Sequence, residues 1–229
     1  MIRSQFDSEA KLSWVLAALA GVLAATAFTR SAGYFVTFMT GNAGRAVLGL
    51  FTGQQWMAVS AAALLVAFLA GVVAASLGRR HLWASRPHGA VVVTSLALLA
   101  ATVVDWAVEG GPTLPLPLLP IALVTFGVGA LNTTFVKDGE VSIPLSYVTG
   151  TLVKLGQGLE RHLSGGACTD WLGYLLLFCG YVLGAAAGGL LSTVAGGTWM
   201  LALATGICGL TTVYTYRYAD HRRVWQPGR

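Results

Sequence analysis

A chain of 229 residues with 55% hydrophobic and only 10% charged side chains cannot cover a water-exposed surface, for which a soluble domain uses roughly 25% charged residues. Its net charge of +5 sits in short basic clusters between apolar runs, the pattern of a positive-inside membrane protein and not of a nucleic-acid surface. Cys168, Cys179 and Cys208 lack CxxC or zinc-ligand spacing and read as small packing residues, so no metal or cofactor is expected.

The first apolar run predicts helix 1 over Leu12 to Phe28. It ends in Ala25-Thr26-Ala27, an A-x-A pattern, but Asp7 and Glu9 spoil a basic leader and further spans follow, so it reads as a retained span. Helix 2 is predicted at Trp56 to Gly78, helix 3 at Gly89 to Trp106 and helix 4 at Leu118 to Val136. Pro115, Pro117 and Pro120 fall in the approach to helix 4, where proline is tolerated. No charge occurs between Asp170 and Arg217, which leaves room for helices 5 and 6 around a turn at Ala195-Gly196-Gly197. Trp14, Trp56, Trp83, Trp106, Trp171 and Trp199 mark the ends of these runs, where an indole favours the headgroup region.

Arg79, Arg80 and Arg86 put the connection between helices 2 and 3 in the cytoplasm. Asp105 and Glu109, with no Lys or Arg, put the next connection outside, and a tail with Arg217, Arg222, Arg223 and Arg229 returns inside. Six spans with both termini cytoplasmic satisfy all of these.

Two stretches remain, Ser31 to Gln55 and Lys137 to Asp170. Sliding the chain on itself by about 109 residues pairs Phe38 with Tyr147, Thr40 with Thr149, Gly41 with Gly150, Arg45 with Lys154, Gly49 with Gly158 and Gly71 with Gly180. The expected architecture is an all-α, polytopic transmembrane bundle in a single membrane domain. Repeat 1 covers 12–108, repeat 2 covers 114–217, and 218–229 form a cytoplasmic tail. Three spans per half force the second half to be inverted, and each half carries one re-entrant or half-helical Thr-Gly segment lining a cavity.

Helices that begin after these Thr-Gly pairs would direct free N–H groups inward, a cradle for an anionic or polar group. The candidate solute-binding residues are Thr40, Gly41, Asn42, Arg45, Asn132, Tyr147, Thr149, Gly150, Thr151 and Lys154. Arg45 and Lys154 either attract an anion or snorkel and bind neighbouring carbonyls. The threonines and Asn42 either coordinate solute or cap helices, and Asn132 either joins a pathway or bonds between helices. Gly180, Gly184 and Gly188, with Ala67, Gly71 and Ala75, form small faces for close helix contact within one chain or between the copies of a homo-oligomer. His81, His88, His162 and His221 lie outside the apolar runs.

The stretch Gly33-Tyr34-Phe35-Val36-Thr37-Phe38-Met39-Thr40-Gly41-Asn42, then Gly129-Ala130-Leu131-Asn132 and Tyr147-Val148-Thr149-Gly150-Thr151-Leu152, resembles the YoaK family of uncharacterised bacterial membrane proteins over most of the chain. The resemblance implies a bacterial inner-membrane protein and supplies no substrate. It also implies an acid in the first helix and a histidine before the Met-Thr-Gly-Asn; here those positions are Ala24 and Phe38. The sequence offers no G-x-S-x-G, H-E-x-x-H or phosphate-binding glycine loop, so an enzyme is not expected. It predicts a small-solute transporter or channel, with a non-transporting scaffold or accessory subunit as the alternative.

Overall fold

The computed structural model describes residues 8–31, 33–83, 88–109, 117–137, 139–143 and 145–219. Arg86, Pro115, His221 and the tail arginines 222, 223 and 229 lie outside them. Eight helices follow one another: α1 (Ser8–Thr29), α2 (Met39–Phe51), α3 (Gln55–Gly78), α4 (His88–Glu109), α5 (Leu118–Leu131), α6 (Val148–Leu163), α7 (Thr169–Val194) and α8 (Gly197–Tyr214). Strands β1 (Val136–Lys137) and β2 (Glu140–Val141) pair antiparallel between α5 and α6. Arg79–Trp83 and Thr215–Ala219 continue α3 and α8 as π-helical turns.

Among the described residues, five stretches are long and apolar enough to cross a membrane: Ala10–Thr29, Gln55–Trp83, His88–Val108, Trp171–Val194 and Gly197–Arg217. They correspond to the predicted helices 1, 2, 3, 5 and 6. The predicted helix 4 is shorter than expected. Its 14 residues end at Leu131, about 21 Å at 1.5 Å per residue against a hydrocarbon core of ~30 Å. The reason is Asn132, whose side-chain nitrogen donates to the Val128 carbonyl, after which Thr133 and Thr134 turn the chain through bonds to Ala130 and Leu131. At 13 and 16 residues, α2 and α6 are also short of a full crossing.

Two close helix pairs organise the bundle, α1 on α7 and α3 on α5. Glycine makes both possible. Gly184 of α7 sits on the Ala18 carbonyl of α1, and Gly71 of α3 sits on the Phe126 carbonyl of α5, so close that an added Cβ would overlap the backbone oxygen. Along the first pair Gly180 meets Trp14 and Gly188 meets Val22, which makes α1 and α7 run parallel in constant register. The glycine face of α7 is therefore occupied within the chain and not free for a second copy.

Each pair is also tied at its C-terminal end by an arginine. Arg30 donates to the Ser192 and Ala195 carbonyls at the end of α7, and Arg79 donates to the Thr133 carbonyl just past α5. These side chains satisfy carbonyls that a helix end leaves without intrahelical partners. The remaining contacts follow the same plan, with α2 folding back on α3 and α6 on α7, while α4 lies against α5 and α8.

The buried core gathers Leu16 and Leu23 of α1, Leu98 of α4, Val124 and Leu131 of α5 and Leu201 of α8. Outside it, Val66, Leu69, Val73 and Leu77 of α3 and Leu183, Leu190 and Val194 of α7 are exposed. That surface suits lipid, where all backbone polar groups must be satisfied within the helices. Asp105, expected in a connection, lies inside α4 and is 3% exposed, with its carboxylate accepting from the Thr198 hydroxyl of α8. The same α4–α8 seam pairs Thr102 with Thr205 and Ser95 with Thr212.

Candidate functional site

The chain between α1 and α2 returns into the bundle as an irregular segment with bends at 33, 36 and 37. Tyr34 and Val36 are buried, and the Thr37 hydroxyl meets the Tyr181 hydroxyl at 2.9 Å, halfway along α7. Only then does α2 begin, at Met39. The segment before α6 behaves alike. Leu145 and Ser146 are buried, and Asn132 donates to the Ser146 hydroxyl at 2.7 Å while its carbonyl oxygen accepts from the Ser146 N–H at 3.1 Å.

The two helix starts match in detail. Phe38 and Tyr147 are the N-cap residues, with φ, ψ of −107°, 74° and −87°, 68°, and neither helix has a side-chain cap. Each aromatic ring folds over the glycine three residues on, Phe38 over Gly41 and Tyr147 over Gly150, where a Cβ would strike the ring. Asn42 and Thr151, 109 residues apart like the two N-caps, are both buried. Asn42 donates to the Phe35 carbonyl at 2.7 Å and its oxygen has no partner among the described residues. Thr151 returns its hydroxyl to the Tyr147 carbonyl.

These two starts face one cavity of about 890 Å³. Residues 37–40 line one part and residues 146–149 another, with Ala24, Ala25 and Phe28 from α1, Phe68 and Val72 from α3, and Tyr181 from α7 completing the wall. Of the predicted site residues, Thr40, Tyr147 and Thr149 line it together with Asn132. Thr40 and Thr149 do not cap their helices, so amides at the start of α2 and α6 stay open, while the Gly41 N–H is taken by the Phe38 carbonyl at 3.1 Å. With those amides comes the positive end of each helix dipole.

Arg45 and Lys154 do not line the cavity. The guanidinium of Arg45 donates to the Gly33 carbonyl and lies over the rings of Tyr34 and Phe35 at 5.6 and 5.5 Å. The ammonium of Lys154 lies 5.7 Å from the centre of the Tyr174 ring. Both basic residues thus hold their short helix against its surroundings through cation–π contact. Among the described residues no charged side chain lines the cavity. Ala24 and Phe38, where the family resemblance implies an acid and a histidine, both line it.

Sequence reasoning missed Thr37, Ser146 and Tyr181. The signal for the first two was present, because the 109-residue offset pairs Thr37 with Ser146 directly before the aromatic N-caps. Tyr181 carried none beyond a phenol in an otherwise apolar run.

The family of proteins of unknown function DUF1275 matches residues 12–214. A UPF0700 transmembrane protein of Rhizobium meliloti (strain 1021) is 32% identical over 179 residues, which is 76% of this chain and 73% of that protein. No solved structure matches. The family match extends from the first span to the last and so includes the cavity and the two short helices that open on it; the chain belongs to the DUF1275 family of membrane proteins of unknown function.

Proposed function

We propose that the protein is a small-solute transporter or channel of the bacterial inner membrane, of the YoaK type, with both termini cytoplasmic. It is built as two inverted halves whose short helices α2 and α6 enter from opposite faces. The observation that carries this reading is the meeting of residues 37–40 and 146–149 at one cavity, each followed by a helix with an open N-terminus. The helix pairing supports the inversion. Moving each helix to its equivalent in the other half turns the α1–α7 pair into α5–α3 and the α2–α3 hairpin into α6–α7. The parallel α1 and α7, tied at their C-terminal ends by Arg30, and α3 and α5, tied at theirs by Arg79, agree with spans that alternate in direction.

A scaffold or accessory subunit would be expected to fill its centre, because a void forfeits packing. The cavity weighs against that alternative, as does the use of the α7 glycines within the chain.

The test is uptake or efflux by proteoliposomes of the full chain across a solute panel. Flux that is saturable and falls at least tenfold in Thr40→Val and Thr149→Val supports the reading. A tight bilayer with no flux, or flux indifferent to both substitutions, overturns it.

A further inference from the structure

The chemistry of the cavity wall goes beyond the general reading of a solute site. Six aromatic rings contribute to it: Phe28, Phe35, Phe38, Phe68, Tyr147 and Tyr181. Three of them form a continuous surface, Phe28 stacked on Phe35 at 5.3 Å and Phe35 edge-to-face with Phe38 at 5.3 Å. Between the rings stand hydroxyls from Thr37, Thr40, Ser146 and Thr149. The nearest basic groups in sequence, Arg45 and Lys154, do not line the cavity: Arg45 is engaged by the Gly33 carbonyl and the Tyr34 and Phe35 rings, and Lys154 by the Tyr174 ring.

A wall of this kind has a definite selectivity. Moving an ion from water into a mostly apolar cavity without a counter-charge carries a large desolvation cost, whereas an uncharged polar group needs only one or two hydrogen bonds to be compensated. Planar rings gain offset or edge contacts with aromatic walls. The volume of about 890 Å³ falls within the roughly 300–1,000 Å³ of sites that take small organic ligands. Inorganic anions would leave most of it empty.

We propose that the cavity binds uncharged, ring-bearing organic solutes with hydrogen-bonding substituents, and discriminates against anions of the same shape. The ring lies against the Phe28–Phe35–Phe38 surface. Its polar substituent takes bonds from the threonine and tyrosine hydroxyls and the open amides of α2 and α6. The assignment rests on the cavity being a solute site, and it refines the predicted anion preference, which had relied on Arg45 and Lys154.

Benzamide and benzoate separate the two chemistries, since they share ring and size and differ in charge at neutral pH. Binding of each is measured by calorimetry on the purified full chain in nanodiscs. Benzamide is expected to bind at least about tenfold more tightly, and nitrate not to compete with it. Phe38→Ala should weaken benzamide about tenfold, and Phe38→Leu should do so less. Lys154→Gln should leave it unchanged. Tighter binding of benzoate, no binding of benzamide, or a benzamide affinity indifferent to both Phe38 variants overturns the assignment. Flux separates it from the transport reading. Preferential benzamide binding with no passage of any uncharged ring-bearing solute, uridine included, leaves the assignment standing and removes transport; nitrate flux without benzamide binding does the reverse.

Discussion

The hydroxyls of Thr37 and Tyr181 meet at 2.9 Å across the cavity wall and join the irregular segment before α2 to the middle of α7. The equivalent segment before α6 is held by a different device, the Asn132–Ser146 pair. One half is thus latched to a long span and the other to the end of a short helix. The first anchor is a single bond and the second a pair, even though the helix starts they hold are alike.

Removing the first anchor is expected to cost little stability and more function. Tyr181→Phe keeps the ring and deletes one hydroxyl, for a loss of about 0.5–1.5 kcal/mol. Thermal unfolding in detergent should show a small shift, and saturable flux should fall several-fold. A fully active Tyr181→Phe protein would remove Thr37–Tyr181 from the working site.

The second anchor should be costlier. Asn132→Ala leaves the buried Ser146 N–H and hydroxyl without their Asn132 partner and removes one of the two bonds to the Val128 carbonyl, so about 1–3 kcal/mol is expected. A double-mutant cycle with Ser146→Ala should recover part of that loss through a coupling of ~1 kcal/mol. Strict additivity would mean that the bonds contribute nothing jointly.

How far the sequence carried can be read from these residues. Charge-free runs and tryptophans located five spans, because hydrophobic length is written residue by residue into the chain. The Thr-Gly repeat marked both short helices, because Gly41 and Gly150 are each required beneath an aromatic ring. The end of helix 4 was missed because the apolar run continues to Val136 while Asn132, bonded back to the Val128 carbonyl and across to Ser146, sits where the backbone turns. Asp105 was placed in a connection because a carboxylate usually stops a span, and nothing local reveals that Thr198, 93 residues away, receives it. Arg45 and Lys154 occupied the expected helix positions, but their direction depends on Tyr34, Phe35 and Tyr174, which pattern reading does not resolve.

The glycine crossings give a sharp stability contrast. Gly71→Val and Gly184→Val would push side-chain atoms into the carbonyls of Phe126 and Ala18. Overpacking of this kind costs about 1–3 kcal/mol and often more where backbone must separate. Gly44, with nothing within 4 Å of an added Cβ, offers the control. Gly44→Ala should stabilise α2 by up to about 1 kcal/mol. Melting temperatures of the three variants in one detergent check the order.

Inversion of the halves makes a prediction that needs no knowledge of the solute. Gln54 in the α2–α3 turn and Glu140 in the β1–β2 hairpin between α5 and α6 are both exposed, and inverted halves would put the connections that flank α2 and those that flank α6 on opposite faces of the membrane. In a background with Cys168, Cys179 and Cys208 replaced by serine, Gln54→Cys and Glu140→Cys are labelled with a membrane-impermeant maleimide on intact and on permeabilised cells. Cytoplasmic termini require Gln54→Cys to react from outside in intact cells and Glu140→Cys only after permeabilisation. Exchange of the two reactivities would reverse the orientation and keep the inversion. Reaction of both from one side would abolish the inversion itself, and with it the picture of α2 and α6 converging from opposite faces on one cavity.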